Sequence, residues 1–212
     1  MAAVAIQEEI GRASCPTPLT ATLQSTFVLR EAGADRVLAR IAEGAGIVAL
    51  TIHGRTRADK YRGEAEYATI AEVKSRVSIP VIANGDIRTF EKSLEVLKLT
   101  GADGLMIGRA AQGRPWIFAE LNAALRGQSS FAPLEKNDLR AMMLGHLDDL
   151  HRFYGESTGV RVARKHLTWY CEHLANAEEY RNRVVRVDSA SEQLALTVEY
   201  FYRPDGGFSR DA

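Results

Sequence analysis

Three short stretches of this 212-residue chain concentrate groups that could do chemistry: His53-Gly54-Arg55-Thr56-Arg57, Asn84-Gly85-Asp86 and Gly108-Arg109. Glycines in the last two let an anion approach backbone N–H groups closely, and Arg109 adds a fixed positive charge, so the pair reads as a phosphate cradle. Glycines that merely form turns after strands are the plainer alternative. Gly113-Arg114-Pro115-Trp116 follows, with proline placed for the first turn of a helix whose free N–H groups would add to the same field. His53 could donate to a ring oxygen or nitrogen of a cofactor, because a neutral imidazole presents one N–H while a neighbour fixes its other nitrogen. It could equally do no more than bond a nearby carbonyl. Arg55 and Arg57 could each clamp a phosphate through two N–H groups, or lie solvated on an exposed loop.

A second constellation lies downstream. Between His151 and His166 the basic residues Arg152, Arg161, Arg164 and Lys165 are opposed only by Glu156. Arg161, Arg164 and Lys165 are helix neighbours, with His166 next in line, and Tyr154, Trp169 and Tyr170 could offer stacking surfaces. The pattern suits an RNA backbone, although a charged helix face is often only solvated. The whole chain balances 27 basic against 27 acidic residues, so any polyanion must be held by such a local patch. The two cysteines, Cys15 and Cys171, are too few for a disulfide framework or a cysteine-based zinc site, and no metal site is expected. Cys171 falls in an amphipathic segment and reads as a buried thiol. No apolar run approaches the roughly 20 residues of a membrane span, and Glu8 and Glu9 argue against a leader peptide. A cytoplasmic protein without a membrane partner is expected.

The elements that must position these residues alternate. Periodicity predicts a helix over 34–44, then a strand from Ile47 to Ile52 buried on both faces and ending at His53. A helix carrying Tyr67, Ile70, Val73 and Val77 leads to a strand at Ile79–Ala83, closed by Asn84-Gly85-Asp86. A helix from Phe90 to Leu99, burying Phe90, Leu94 and Leu97, leads to a strand at Gly104–Ile107, closed by Gly108-Arg109. Such alternation implies parallel strands with helical crossovers, and the polar residues gather at the strands' C-terminal ends. A (β/α)8 barrel and a doubly wound sheet both place their sites there, so periodicity alone leaves the two open. After Pro115 helix follows helix: about 137–154, with Leu139, Met143, Leu147, Leu150 and Tyr154 on one face, then about 160–174 and 189–202. Residues 204–212 open on a Pro-Asp-Gly-Gly cluster and read as a flexible tail. Residues 1–33 show no persuasive period.

The stretches Ala49–Arg57, Ile79–Ile87 and Met106–Trp116, together with Ala163-Arg164-Lys165-His166 and Trp169-Tyr170, closely resemble the bacterial tRNA-dihydrouridine synthases, in particular their B-type branch. The resemblance runs from about residue 34 to 202 in order and spacing. It implies the C-terminal half of an FMN-bearing TIM barrel over 34–115, followed by an all-α tRNA-binding domain over 116–203. It implies NADPH as reductant of the flavin and reduction of a tRNA uridine to 5,6-dihydrouridine. Position by position, His53, Asn84, Gly85 and Asp86 would contact FMN, Gly108 and Arg109 would hold its phosphate, and Arg161, Arg164, Lys165 and His166 would meet tRNA.

Some family features have no counterpart here. A whole barrel takes about 250 residues, whereas only 46 residues precede Ile47. The family's catalytic cysteine is not matched: Cys15 stands about one β/α unit before His53 instead of two. The family's flavin-contacting lysine falls near Gln24. The chain alone is therefore expected to be catalytically impaired, to expose strand edges, and to associate with a missing barrel half or with itself. A non-catalytic tRNA-binding protein and a different FMN- or phosphate-binding barrel oxidoreductase, one without the basic helix, are the alternatives.

Overall fold

The computed structural model describes residues 40, 43–55, 63–127 and 134–207. Residues 1–33, with Cys15 and Gln24, lie outside these, as do Arg57 and 208–212. Of the helix expected over 34–44, residues 40, 43 and 44 are described and are helical.

The chain divides into two compact units. The first is built on three parallel strands in sequential order, β1 (Leu50–His53), β2 (Val81–Asn84) and β3 (Gly104–Met106). Helix α1 (Ala68–Lys74) joins β1 to β2, and α2 (Phe90–Thr100) joins β2 to β3, as the alternating pattern requires. The register pairs Leu50 with Val81 and His53 with Asn84, and then Asn84 with Met106. The polar ends of the strands are thereby brought level. Asp103 fixes the opposite end: its carboxylate accepts from the Val81 N–H at 2.7 Å and from the Lys74 ammonium at 2.6 Å. Leu50, Ile52, Ile70, Val73, Val81, Ala83, Val96 and Leu105 form the core between sheet and helices.

Two expectations fail in this unit. Strand pairing begins only at Leu50, and Val48, expected inside a strand buried on both faces, is 81% exposed. Residues 47–49 have no ladder partner among the described residues to hold them in the sheet. Helix α2 turns a different face inward. Ser93, Val96 and Thr100 are buried, whereas Leu94 is exposed and Phe90 and Leu97 are half-buried. The two hydroxyls can face the core because each donates to its own helix, Ser93 to the Thr89 carbonyl and Thr100 to the Val96 carbonyl.

Helix α3 (Ile117–Leu125) clusters with the sheet unit, although the sequence reading placed it in the helical domain. The second unit comprises Ala111–Trp116 and helices α4 (Lys136–Tyr154), α5 (Glu156–Cys171), α6 (Glu178–Val184) and α7 (Ala190–Tyr202). Its core joins Leu139, Met143, Leu147 and Leu150 of α4 to Ala163, Leu167 and Tyr170 of α5 and to Leu196 and Tyr200 of α7. Tyr154, the last residue of the predicted stripe, is exposed beside Phe153. A Cβ on Gly159 would stand 2.7 Å from the Leu150 carbonyl, so α5 can cross α4 this closely only at a glycine. Residues 204–207 are not a loose tail. Gly207 is buried, its N–H donates to the Tyr200 hydroxyl, and its carbonyl accepts from the Ala175 N–H. No helix among the described residues is long and apolar enough to cross a membrane.

Candidate functional site

The C-terminal ends of β1, β2 and β3 line a recess of about 290 Å³, walled by His53, Asn84, Gly85, Asp86, Gly108 and Arg109 among others. The sheet thus brings together all six residues expected to hold a cofactor. His53 is locked at one nitrogen: its Nδ1 accepts from the Arg55 backbone N–H at 3.0 Å. Burial, and then the charges of Arg55 and Arg109, hold its pKa below the ordinary histidine value against the opposing pull of Asp86. The neutral ring therefore carries its proton on Nε2, where it can be donated to a ligand. Asn84 donates through Nδ2 to the Met106 carbonyl at 2.7 Å, which ties β2 to β3 and leaves Oδ1 as its free acceptor. A Cβ added to Gly108 would meet nothing within 4 Å. That open space beside Arg109 is what an anion approaching the backbone needs.

Gly85 has a different task. Its φ is +133°, and a Cβ there would lie 2.7 Å from the Ala65 Cβ, so conformation and packing both require glycine. The Tyr67 hydroxyl donates to its carbonyl at 2.8 Å. Asp86 faces protein in place of open solvent: its carboxylate pairs with the Arg55 guanidinium, accepts from the Ala65 N–H at 2.9 Å and lies 3.4 Å from Arg109. The hydrogen bond from Arg55 is the first cause that holds the Asp86 carboxyl below its usual range. Arg55, expected as a phosphate clamp or a solvated loop residue, is buried on this carboxylate and on the Gly63 carbonyl. Ala65 escaped the sequence reading, and Tyr67 was read there only as a helix residue; the signal for both was the glycine at 85, whose turn needed partners.

The basic helix is α5, and its four expected residues differ in surroundings. Arg161 and Lys165 are exposed, and the Lys165 ammonium stands 4.9 Å from the centre of the Trp169 ring. Arg164 is half-buried, donating to Asp188 at 2.6 Å and to the Val187 carbonyl at 3.0 Å. His166 turns inward, edge-on to His146 at 4.8 Å and to Trp169 at 5.1 Å. Burial and the Lys165 charge lower its pKa. Cys171 is half-buried, where a buried thiol was expected, and burial pushes its thiol up to about 12, far from a reactive thiolate. Among the described residues no three or more His, Cys, Asp or Glu side chains converge to hold a metal.

A parallel β/α unit with an open glycine beside Arg109 and an oriented imidazole at its strand ends belongs to the class of arrangements that can receive a phosphate-bearing ligand. Sequence comparison narrows the class. The Dihydrouridine synthase (Dus) family profile matches residues 26–203, and the chain belongs to that family. Over 164 residues, 77% of this chain, it is 53% identical to tRNA-dihydrouridine synthase B of Pseudomonas syringae pv. tomato, covering 49% of that protein. It is 51% identical to the same-named protein of Xanthomonas axonopodis pv. citri (49% covered) and 50% identical to that of Vibrio parahaemolyticus (51% covered). The chain spans about half the length of the curated relatives it matches.

Proposed function

We propose that the chain is part of an FMN-dependent tRNA-dihydrouridine synthase, in which the three strands form one arc of a (β/α)8 barrel and the helical unit binds tRNA in the cytoplasm. The carrying observation is the row formed by a neutral, pre-oriented His53 and the open Gly108-Arg109 cradle at level strand ends. The residues fit the flavin mononucleotide: Gly108 and Arg109 would hold its phosphate, Asn84 and Gly85 would line its place, and His53 Nε2–H would donate to a polar atom of its ring. Asp86 acts one step removed, by keeping Arg55 and the turn in place. When bound, the flavin would supply a hydride, drawn from NADPH, to the C5–C6 bond of a uridine; the proton that completes the reduction needs a general acid, and the family's catalytic cysteine has no match in this sequence. The chain's own residues hold and orient the cofactor, while Arg161 and Lys165 offer charge to tRNA phosphates and Trp169 offers a stacking face. The family match extends through the helical unit to residue 203, which favours this reading over a flavin barrel without an RNA-binding domain.

FMN titration of the purified chain, followed by quenching of flavin fluorescence, tests the reading. One FMN per chain is expected, with binding weakened at least tenfold by Gly108→Val, which fills the cradle. No FMN binding, with tRNA affinity retained, would leave an RNA-binding protein and overturn the flavin assignment.

A further inference from the structure

Beside the glycine cradle lies a second cavity of about 390 Å³ with a lining of strongly basic character. Arg55, Arg88, Lys92 and Arg109 face it against two carboxylates, Glu64 and Asp86. Asp86 is already engaged by Arg55, the Ala65 N–H and Arg109. Arg88 and Lys92 lie beyond that carboxylate, Lys92 with a carboxylate partner of its own in Glu95. Arg88 is exposed and forms no ion pair or hydrogen bond with any described residue. Lys92 stands 5.0 Å from the centre of the Tyr67 ring and 3.0 Å from Glu95, which raises its pKa and keeps it charged. The pair flanks the start of the eleven-residue helix α2, capped by Thr89, so its partial positive charge adds to theirs.

We propose that this cavity is a second phosphate site, which receives a phosphate group of a nucleotide other than the flavin. A free guanidinium beside an ammonium suits a phosphate oxyanion. The volume exceeds what one phosphate needs and falls at the small end of ligand pockets, leaving room for part of a sugar or base. The site shares Asp86, Arg88 and Arg109 with the cradle and adds the Gly63–Tyr67 segment and Lys92. Two sources supply this chemistry, the 2′-phosphate of an NADPH-type dinucleotide and a backbone phosphodiester of RNA. Naming these sources rests on the proposed function; the cavity and its charge do not.

The test compares the unaltered 212-residue chain with Arg88→Ala, with Lys92→Gln and with Arg88→Glu combined with Lys92→Gln. Calorimetric binding is measured for NADPH, NADH and FMN, and fluorescence anisotropy for a tRNA transcript over a salt series. A loss of about tenfold or more for NADPH with NADH unchanged identifies the phosphomonoester, that being the scale of one charge-assisted contact. A similar loss for tRNA, with the salt slope reduced by about one per cation removed, identifies the phosphodiester. Either result supports the site, and Arg88→Ala, which only shortens an exposed side chain, separates it from a folding defect. Unchanged affinity for both ligands, or failure of the unaltered chain to bind either, overturns the proposal. FMN affinity is expected to stay within about threefold in Lys92→Gln, whose side chain lines this cavity and not the cradle recess; a parallel loss of FMN in that variant would assign these cations to the cradle and overturn a separate site. Absence of FMN binding in the unaltered chain would instead strike the flavin reading alone.

Discussion

Arg55 and Asp86 show how one ion pair can set the shape of a site. Thirty-one positions apart, they meet because β1 and β2 end at the same level, and each turns its charge toward the other in a half-enclosed place. Removing one partner strands the other. Asp86→Ala is therefore expected to lower unfolding stability by about 3 kcal/mol, since the buried Arg55 guanidinium loses the Asp86 carboxylate. A urea-denaturation difference below about 1 kcal/mol, the scale of exposed pairs, would contradict this. Because the folded carboxyl titrates below its unfolded value, its contribution is complete above the ordinary aspartate range and is lost as pH falls through the folded pKa. The sequence shows both residues as charged loop groups but cannot show that they pair, because that depends on strand register.

At the scale of elements, the turn after β2 carries the demand. Gly85→Ala is expected to destabilise the sheet unit by about 2 kcal/mol or more, combining backbone strain at φ +133° with a clash against Ala65. Differential scanning calorimetry checks this, and a second change, Ala65→Gly, is expected to restore only the part due to the clash. Full restoration would mean the backbone conformation carries no strain. The alternation of strands and helices was legible from hydrophobic period, and so were the glycine loops that end β2 and β3. The inward face of α2 was not. Periodicity favoured Leu94, whereas the helix buries Ser93 and Thr100, whose hydroxyls are satisfied internally. The breaker cluster after Arg203 misled for a related reason: Gly206 and Gly207 fit where any Cβ on Gly206 would meet the Tyr200 carbonyl, so a disorder-prone composition serves a packed corner.

For the molecule as a whole, the two units should respond differently to acid. In the helical unit, burial, and then the neighbouring His166, push His146 down to about 4, with Asp149 opposing, and its Nδ1 lies 3.1 Å from the Tyr170 hydroxyl. The unfolded chain binds a proton at this residue near pH 6.5 while the folded unit refuses it. Stability therefore falls as pH drops from about 6.5 to about 4, by a total on the order of 3 kcal/mol. Denaturation measured across this range should show the loss, and His146→Gln should flatten it; an unchanged pH profile in that variant would refute the assignment. The sheet unit has another property of molecular scale. His53, Asn84 and Met106 occupy one rung of three adjacent strands, and neighbouring strands lie about 4.8 Å apart. The rung works as a caliper of roughly 10 Å, set by backbone hydrogen bonds and not by side-chain choice. A molecule that places one end on the imidazole and its charged terminus by Gly108 must match that span, so the sheet selects by length before any side chain selects by kind.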